Sequence, residues 1–150
     1  MAAARLITVA GLGIDAYVHL DLAPTYSEAA APISEGVLFR AEAALALLAA
    51  LALILSASRR SLMASFAVSA SALTLMLVSR YADLGPLGPF PDLYDPVWFA
   101  EKLWAAFGEA AAGVASLAGI LLLSIPADRR RAARAPGASG HRRGRFLPRW

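Results

Sequence analysis

The chain has 150 residues, of which 59% are hydrophobic and 17% charged, with a mean hydropathy of +0.58 and a formal net charge of +3. A small soluble domain leaves a large fraction of its surface in water and cannot hide that much hydrocarbon, so a soluble globular domain is excluded. There is no cysteine, which removes disulfides, thiolate metal sites and cysteine nucleophiles.

Four apolar runs follow in chain order, over residues 5–22, 37–57, 62–81 and 96–125. Each is long enough to cross a bilayer as a helix, since ~20 residues rising ~1.5 Å each span ~30 Å. Helix is the expected form because lipid offers the backbone no hydrogen-bond partners. Stretches such as AEAALALLAALALIL are rich in helix formers and lack the alternation of strands. The first run also has features of a secretory leader, with Arg5 ahead of LITVAGLGI. Asp15 interrupts it, however, and Pro24 would follow the nearest cleavage site, so retention is expected.

The connections differ sharply in charge. Arg59 and Arg60 fill the short turn SASRRS after the second run, whereas the first and third connections carry Asp21, Glu28, Glu35, Asp83, Asp92 and Asp95. The basic turn and tail are therefore expected in the cytoplasm, with both termini. Tyr81, Phe90, Tyr94, Trp98 and Phe99 mark the opposite interface, where amphipathic rings gather. The third connection, ADLGPLGPFPDLYDP, is too rich in proline and glycine for regular structure. Its Leu87, Phe90, Leu93 and Tyr94 are expected to cap the helix ends, and Asp95 and Pro96 to open the last helix as N-cap and first residue.

Residues 126–150 form an arginine-rich tail with few apolar residues, expected to be disordered. Its Arg129, Arg130, Arg131 and Arg134 suit anionic lipid headgroups, at ~1 kcal/mol per basic residue near the surface. The pI near 9.8 comes largely from this tail, and nucleic acid is not expected as a partner.

The functional interest lies in ionisable residues within the runs. Asp15 and His19 are four apart and share a helix face. Arg40 and Glu42 enter the second run, Arg80 ends the third, and Glu101 and Glu109 stand eight apart on nearly one face of the fourth. A charge at mid-membrane costs at least ~2.5–3.5 kcal/mol, so such groups turn inward and find partners. Asp15, His19, Arg40, Glu42, Arg80, Asp83, Glu101 and Glu109 are thus the candidates for an outward-facing polar cluster with a small-ligand pocket, with Arg40 or Arg80 as the pairing groups for Glu109. Elsewhere, Ser65, Ser69, Ala72 and Ala64 on the third run allow close helix contact, as do Gly108, Ala112, Ser116 and Gly119 on the fourth. A homodimer through such faces is one consequence.

Chemistry narrows the options further. His19 with Asp15, Glu42, Glu101 or Asp83 offers nitrogen and oxygen ligands suited to zinc, manganese or iron, although no metal motif such as HExxH occurs. A bis-histidine haem is badly placed because His141 falls in the tail; no resident cofactor is expected, and a metal- or redox-cofactor-dependent membrane enzyme using His19 is the alternative. GVASLAG lacks the nucleophile-elbow pattern and GLGIDA the dinucleotide fingerprint. Chained acidic residues and histidine also suit a proton-linked transporter. The inner halves of the runs carry no continuing acidic path, which favours a closed pocket over a conduction route. A catalytic set is not identifiable.

The run AYVHLDLAPTYSE…ISEGVLFRAEAALALLAALAL has a first helix ending in a His–Leu pair, then Pro, an acidic residue and Gly-x-x-Phe opening the next helix. Here these are His19, Leu20, Pro24, Glu28, Gly36 and Phe39. It resembles small four-helix integral membrane proteins of actinobacteria, and GPLGPFPDLYDPVWFAEK is similar to the outer loop of a subset of them. In size and helix count the chain is also similar to DoxX-type proteins. The resemblance covers residues 1–125 and implies a fold, not an activity. The expected architecture is an all-α, antiparallel four-helix transmembrane bundle.

Overall fold

A computed structural model describes residues 1–28 and 32–125. It contains four α-helices and, among the described residues, no strand: α1 Ala2–Leu22, α2 Glu35–Leu55, α3 Arg59–Tyr81 and α4 Ala100–Ser124. All four are long and apolar enough to cross a membrane, which by length and composition makes this a multi-pass membrane protein. The basic tail and its four headgroup arginines lie outside the described residues.

Local chemistry sets the helix ends. α1 stops at Ala23, whose N–H reaches the His19 carbonyl (3.0 Å), because Pro24 follows and disfavours further helix. The Ser34 hydroxyl accepts from the Val37 N–H (3.3 Å) and caps α2. α3 starts three residues before its apolar run, at Arg59. Ser58 and Ser61 exchange side-chain and backbone hydrogen bonds in a capping box, so the two arginines occupy the first helical turn rather than the preceding loop. Ser58→Ala should therefore cost about 1 kcal/mol, read as a lower thermal midpoint in detergent.

α4, by contrast, starts later than the sequence suggests. Asp95 is not its N-cap and Pro96 not its first residue: the helix begins at Ala100, with Phe99 in extended geometry before it. Asp95 is held elsewhere. Its N–H donates to the Ser79 carbonyl (2.9 Å), its carboxylate accepts from the Val97 N–H (3.3 Å), and both its carboxylate and its carbonyl accept from Lys102 Nζ. These anchors hold the chain ahead of Ala100 beside the end of α3 and outside the helix. The capping role expected of Leu87, Phe90 and Tyr94 is also not seen, since all three are exposed and only Leu93 turns inward. Leu87 and Phe90 instead close a tight turn on themselves. Gly85 and Gly88 supply the positive φ values (60° and 63°) that the connection needs there.

α1 and α4 are the central pair, with α2 flanking α1, α3 flanking α4, and a thinner contact between α2 and α3. The α1–α4 seam depends on two glycines. A Cβ at Gly11 would lie 2.4 Å from the Gly108 carbonyl oxygen, and one at Gly108 would lie 2.8 Å from the Gly11 carbonyl oxygen. Only hydrogen fits at this crossing. The core is correspondingly built of small residues: Ala16, Ala43, Ala46, Ala49, Ala50 and Ala112 around Leu12, with Ser65, Ser69 and Ser116 buried nearby. Leu6, Leu48, Leu75, Phe107 and Val114 point outward instead. Small residues inside and large aliphatic residues outside is the arrangement lipid favours, because lipid solvates Leu as well as a protein core does. Gly108, Ala112, Ser116 and Gly119 are all buried inside this one chain, as are Ser65, Ser69 and Ala72, while Ala64 is exposed.

Three buried hydroxyls bond back to the preceding turn, Thr8 to Ala4, Ser65 to Ser61 and Ser116 to Ala112, whereas that of Ser69 has no hydrogen-bond partner. The two longer connections meet, with the Ile33 N–H donating to the Pro89 carbonyl (3.2 Å). At the other end of α1, the Arg5 guanidinium donates to the Ile54 carbonyl near the end of α2.

Candidate buried carboxylate–imidazole site

The glycine seam also positions the site. Asp15 lies one turn beyond Gly11, and Glu109 is adjacent to Gly108, so the close approach of α1 and α4 brings the two carboxyl groups together. Each lies well inside its helix: Asp15 seven residues from the end of α1 and Glu109 nine from the start of α4, or ~10 and ~13 Å at the helical rise. Asp15 is 0% exposed and Glu109 1%. One potential ligand atom from each of Asp15, His19 and Glu109 falls within a mutual 4.8 Å.

The imidazole is firmly oriented. His19 Nδ1 lies 3.0 Å from the Asp15 carbonyl oxygen and 2.8 Å from Asp15 Oδ1. Only the carbonyl lies in line for a hydrogen bond, so the close approach to Oδ1 is electrostatic contact, and that oxygen has no hydrogen-bond partner. Both neighbours are acceptors, so Nδ1 carries the ring proton. On its other side the ring meets Phe39 edge-on (centroids 5.2 Å, 88°), and Phe39 meets Tyr26 (5.1 Å).

This contact accounts for the Gly-x-x-Phe element. Gly36 lets the start of α2 lie against the turn after α1, where a Cβ would fall 2.4 Å from the Ala23 carbonyl, and its N–H donates to the Tyr26 carbonyl (2.7 Å). One turn later Phe39 reaches His19.

The other predicted residues divide. Glu42 on α2 faces the same region, with its Oε1 buried and without a hydrogen-bond partner. Arg40 is exposed and donates to the Ser27 hydroxyl (3.1 Å). Arg80 lies over the rings of Tyr81 and Trp98, with centroids 5.0 and 5.9 Å away. Neither arginine pairs with Glu109. Glu101 is exposed, because eight residues at ~100° each leave it ~80° around the helix from Glu109, and Lys102, seven residues from Glu109, takes the inward face at that level instead. Asp83 is exposed and only accepts from the Gly85 N–H (3.2 Å). The cluster is therefore Asp15, His19, Glu42 and Glu109.

The pairing of Lys102 with Asp95 was not read from the sequence. Lys102 is buried (7% exposed), its Nζ 2.9 Å from Asp95 Oδ2 and near the rings of Trp98 and Phe99. The seven-residue spacing of the pair was the available signal. Glu35 and Tyr26 were also missed. Burial, with Asp95 and Glu35 nearby, holds the Tyr26 phenol above the ordinary tyrosine range, so it remains a hydrogen-bond donor at neutral pH.

These groups border a cavity of about 310 Å³. Its walls are largely aliphatic and aromatic, from Val18, Leu38, Phe39, Leu75, Met76 and Phe99, with His19, Glu35, Glu42, Asp95 and Lys102 around them. It lies where α2 and α3 are only thinly in contact.

Fold and site together define the class: a multi-pass helical membrane protein with a buried carboxylate–imidazole cluster beside an apolar cavity. No protein-family model matches the chain, and no curated protein or solved structure does.

Proposed function

We propose that this is an antiparallel four-helix membrane protein with both termini in the cytoplasm, and that it binds a small amphiphilic cation in the cavity bounded by His19, Glu42 and Lys102. The topology rests on the arginines of the α2–α3 turn and the tail against the acidic connections, which meet through Ile33 and Pro89. The chain has no cysteine, so Thr25→Cys and Ala57→Cys can be labelled singly from either side of intact cells. Thr25→Cys should react from outside and Ala57→Cys only after permeabilisation.

One observation carries the ligand reading: the cavity is apolar in its walls but negative in its uncompensated charge. Asp95 is paired with Lys102 at 2.9 Å, whereas Glu35 and Glu42 form no ion pair of their own among the described residues. Tyr26, Phe39 and Phe99 present rings to the same space, and aromatic faces attract quaternary ammonium groups. The volume is at the small end of ligand pockets, which run ~300–1,000 Å³, so a single ring with a compact head fits.

Benzyltrimethylammonium is the direct probe. Binding to purified protein, measured calorimetrically, should weaken roughly 10-fold or more in Glu42→Gln, since a pair of opposite unit charges about 4–5 Å apart is worth ~3–4 kcal/mol before desolvation at an effective dielectric of ~20. Equal affinity for the neutral isostere neopentylbenzene, or no change in Glu42→Gln, would overturn the reading.

A further inference from the structure

We infer that Asp15, His19 and Glu109 form a binding site for one divalent transition-metal ion, held between α1 and α4. The inference is independent of what the adjoining cavity binds.

The first support is a charge imbalance that the protein does not correct. All four carboxylate oxygens of Asp15 and Glu109 lack a hydrogen-bond partner, in residues 0% and 1% exposed. Buried polar groups are almost always satisfied, and buried charges are paired or bound to a metal. Every nearby cation is committed elsewhere: Arg40 to Ser27, Arg80 to two aromatic rings, and Lys102 to Asp95. His19 faces Asp15 and could offset one carboxylate at most, while Glu42 adds a third acidic group at similar depth.

The donor set is the second support. One imidazole nitrogen and two carboxylates suit Zn²⁺, Mn²⁺ or Fe²⁺, whereas Ca²⁺ requires six or more oxygens. Ligand atoms around a tetrahedral Zn²⁺ lie ~3.4 Å apart, given bonds of ~2.0–2.2 Å. The observed grouping within 4.8 Å needs a contraction of up to ~1.4 Å. Carboxylate torsions supply part of it, and the His19 ring must also turn so that a deprotonated nitrogen, rather than the Nδ1–H that meets the Asp15 carbonyl, faces the carboxylates. The backbone framework is already set, because the Gly11–Gly108 contact fixes the separation of the two helices at this level. Three protein ligands leave a fourth position, and His19 borders the cavity, so that position can open toward it.

The competing occupant is a proton shared between the carboxyl groups. The two are separated by titrating metal-stripped protein in detergent with Co²⁺, followed by its visible d–d absorption, and by counting zinc, manganese and iron in protein purified from metal-supplemented cells. One ion per chain and a saturating Co²⁺ spectrum are expected. His19→Ala and Glu109→Gln should each weaken Co²⁺ binding at least about 10-fold, with Glu101→Gln, on the exposed face of α4, retaining it. A wild-type protein with neither stoichiometric metal nor a Co²⁺ spectrum would overturn the inference in favour of the shared proton, without any variant having to fold. Benzyltrimethylammonium binding, measured on the same stripped sample, succeeds or fails independently, so the two proposals are distinguishable.

Discussion

Gly11→Val is expected to destabilise the bundle by about 3 kcal/mol or more, the largest effect of any single substitution considered for this chain. The reason is backbone against backbone. A Cβ at position 11 would lie 2.4 Å from the Gly108 carbonyl oxygen and 3.0 Å from the backbone nitrogen of Ala112, and neither atom belongs to a side chain that can rotate away. Relief requires α1 and α4 to part, which opens the most extensive helix contact in the structure and draws Asp15 away from Glu109. Gly13 is the matched control, because a Cβ there meets nothing within 4 Å. Gly13→Ala should be neutral or raise the midpoint, since alanine exceeds glycine in helix propensity by ~1 kcal/mol. Thermal unfolding in detergent, followed by tryptophan fluorescence, reads both. Equal behaviour of the two variants would mean that the seam is not what holds α1 to α4.

Removing the Asp95 carboxylate should be the second most costly change. In Asp95→Ala, Lys102 keeps only the residue 95 carbonyl, which its Nζ already meets at 2.7 Å, and loses its ion-pair partner while buried. The turn bond to the Val97 N–H is lost with it. A loss of about 2–3 kcal/mol is expected, the range for a buried hydrogen bond to a charged group. Asp95→Asn preserves an acceptor for Val97 but not the charge, and should cost roughly half as much. Adding Lys102→Met to Asp95→Asn should recover part of the loss, because a methionine stem fills similar space without a stranded ammonium. If the double variant is no more stable than Asp95→Asn, the damage comes from the turn rather than from the charge.

Both expectations concern features with unequal sequence signals. Small residues at Gly108, Ala112, Ser116 and Gly119 already announced a close-packed face on α4, but nothing in their spacing says which helix presses on it. The partner is α1 at Gly11, with Leu62 of α3 against Gly119. Asp15 and His19 were legible as a pair because helical periodicity brings residues four apart into contact, and they do touch. Glu101 and Glu109 separated, because a spacing of eight leaves two residues ~80° apart around a helix, enough to turn Glu101 outward while its neighbour Lys102 turns in. The start of α4 was misread for a related reason. Asp-Pro is a sound local helix opening, but Asp95 is captured by Ser79 and Lys102, and those tertiary bonds outweigh the cap.

The sequence alone determined that this is a four-helix chain built for lipid, because hydropathy, run length and helix propensity act locally and need no neighbour. It likewise marked Asp15, Glu42 and Glu109 as costly to bury, a matter of solvation that each residue carries with it. Tertiary structure decided the rest. It brought Asp15 and Glu109 together across a glycine contact, left Arg40 and Arg80 to Ser27 and the aromatic rings, and placed Lys102 on Asp95. Which charges meet is a property of helix separation and register, set by contacts between residues far apart in the chain, and no local pattern encodes it.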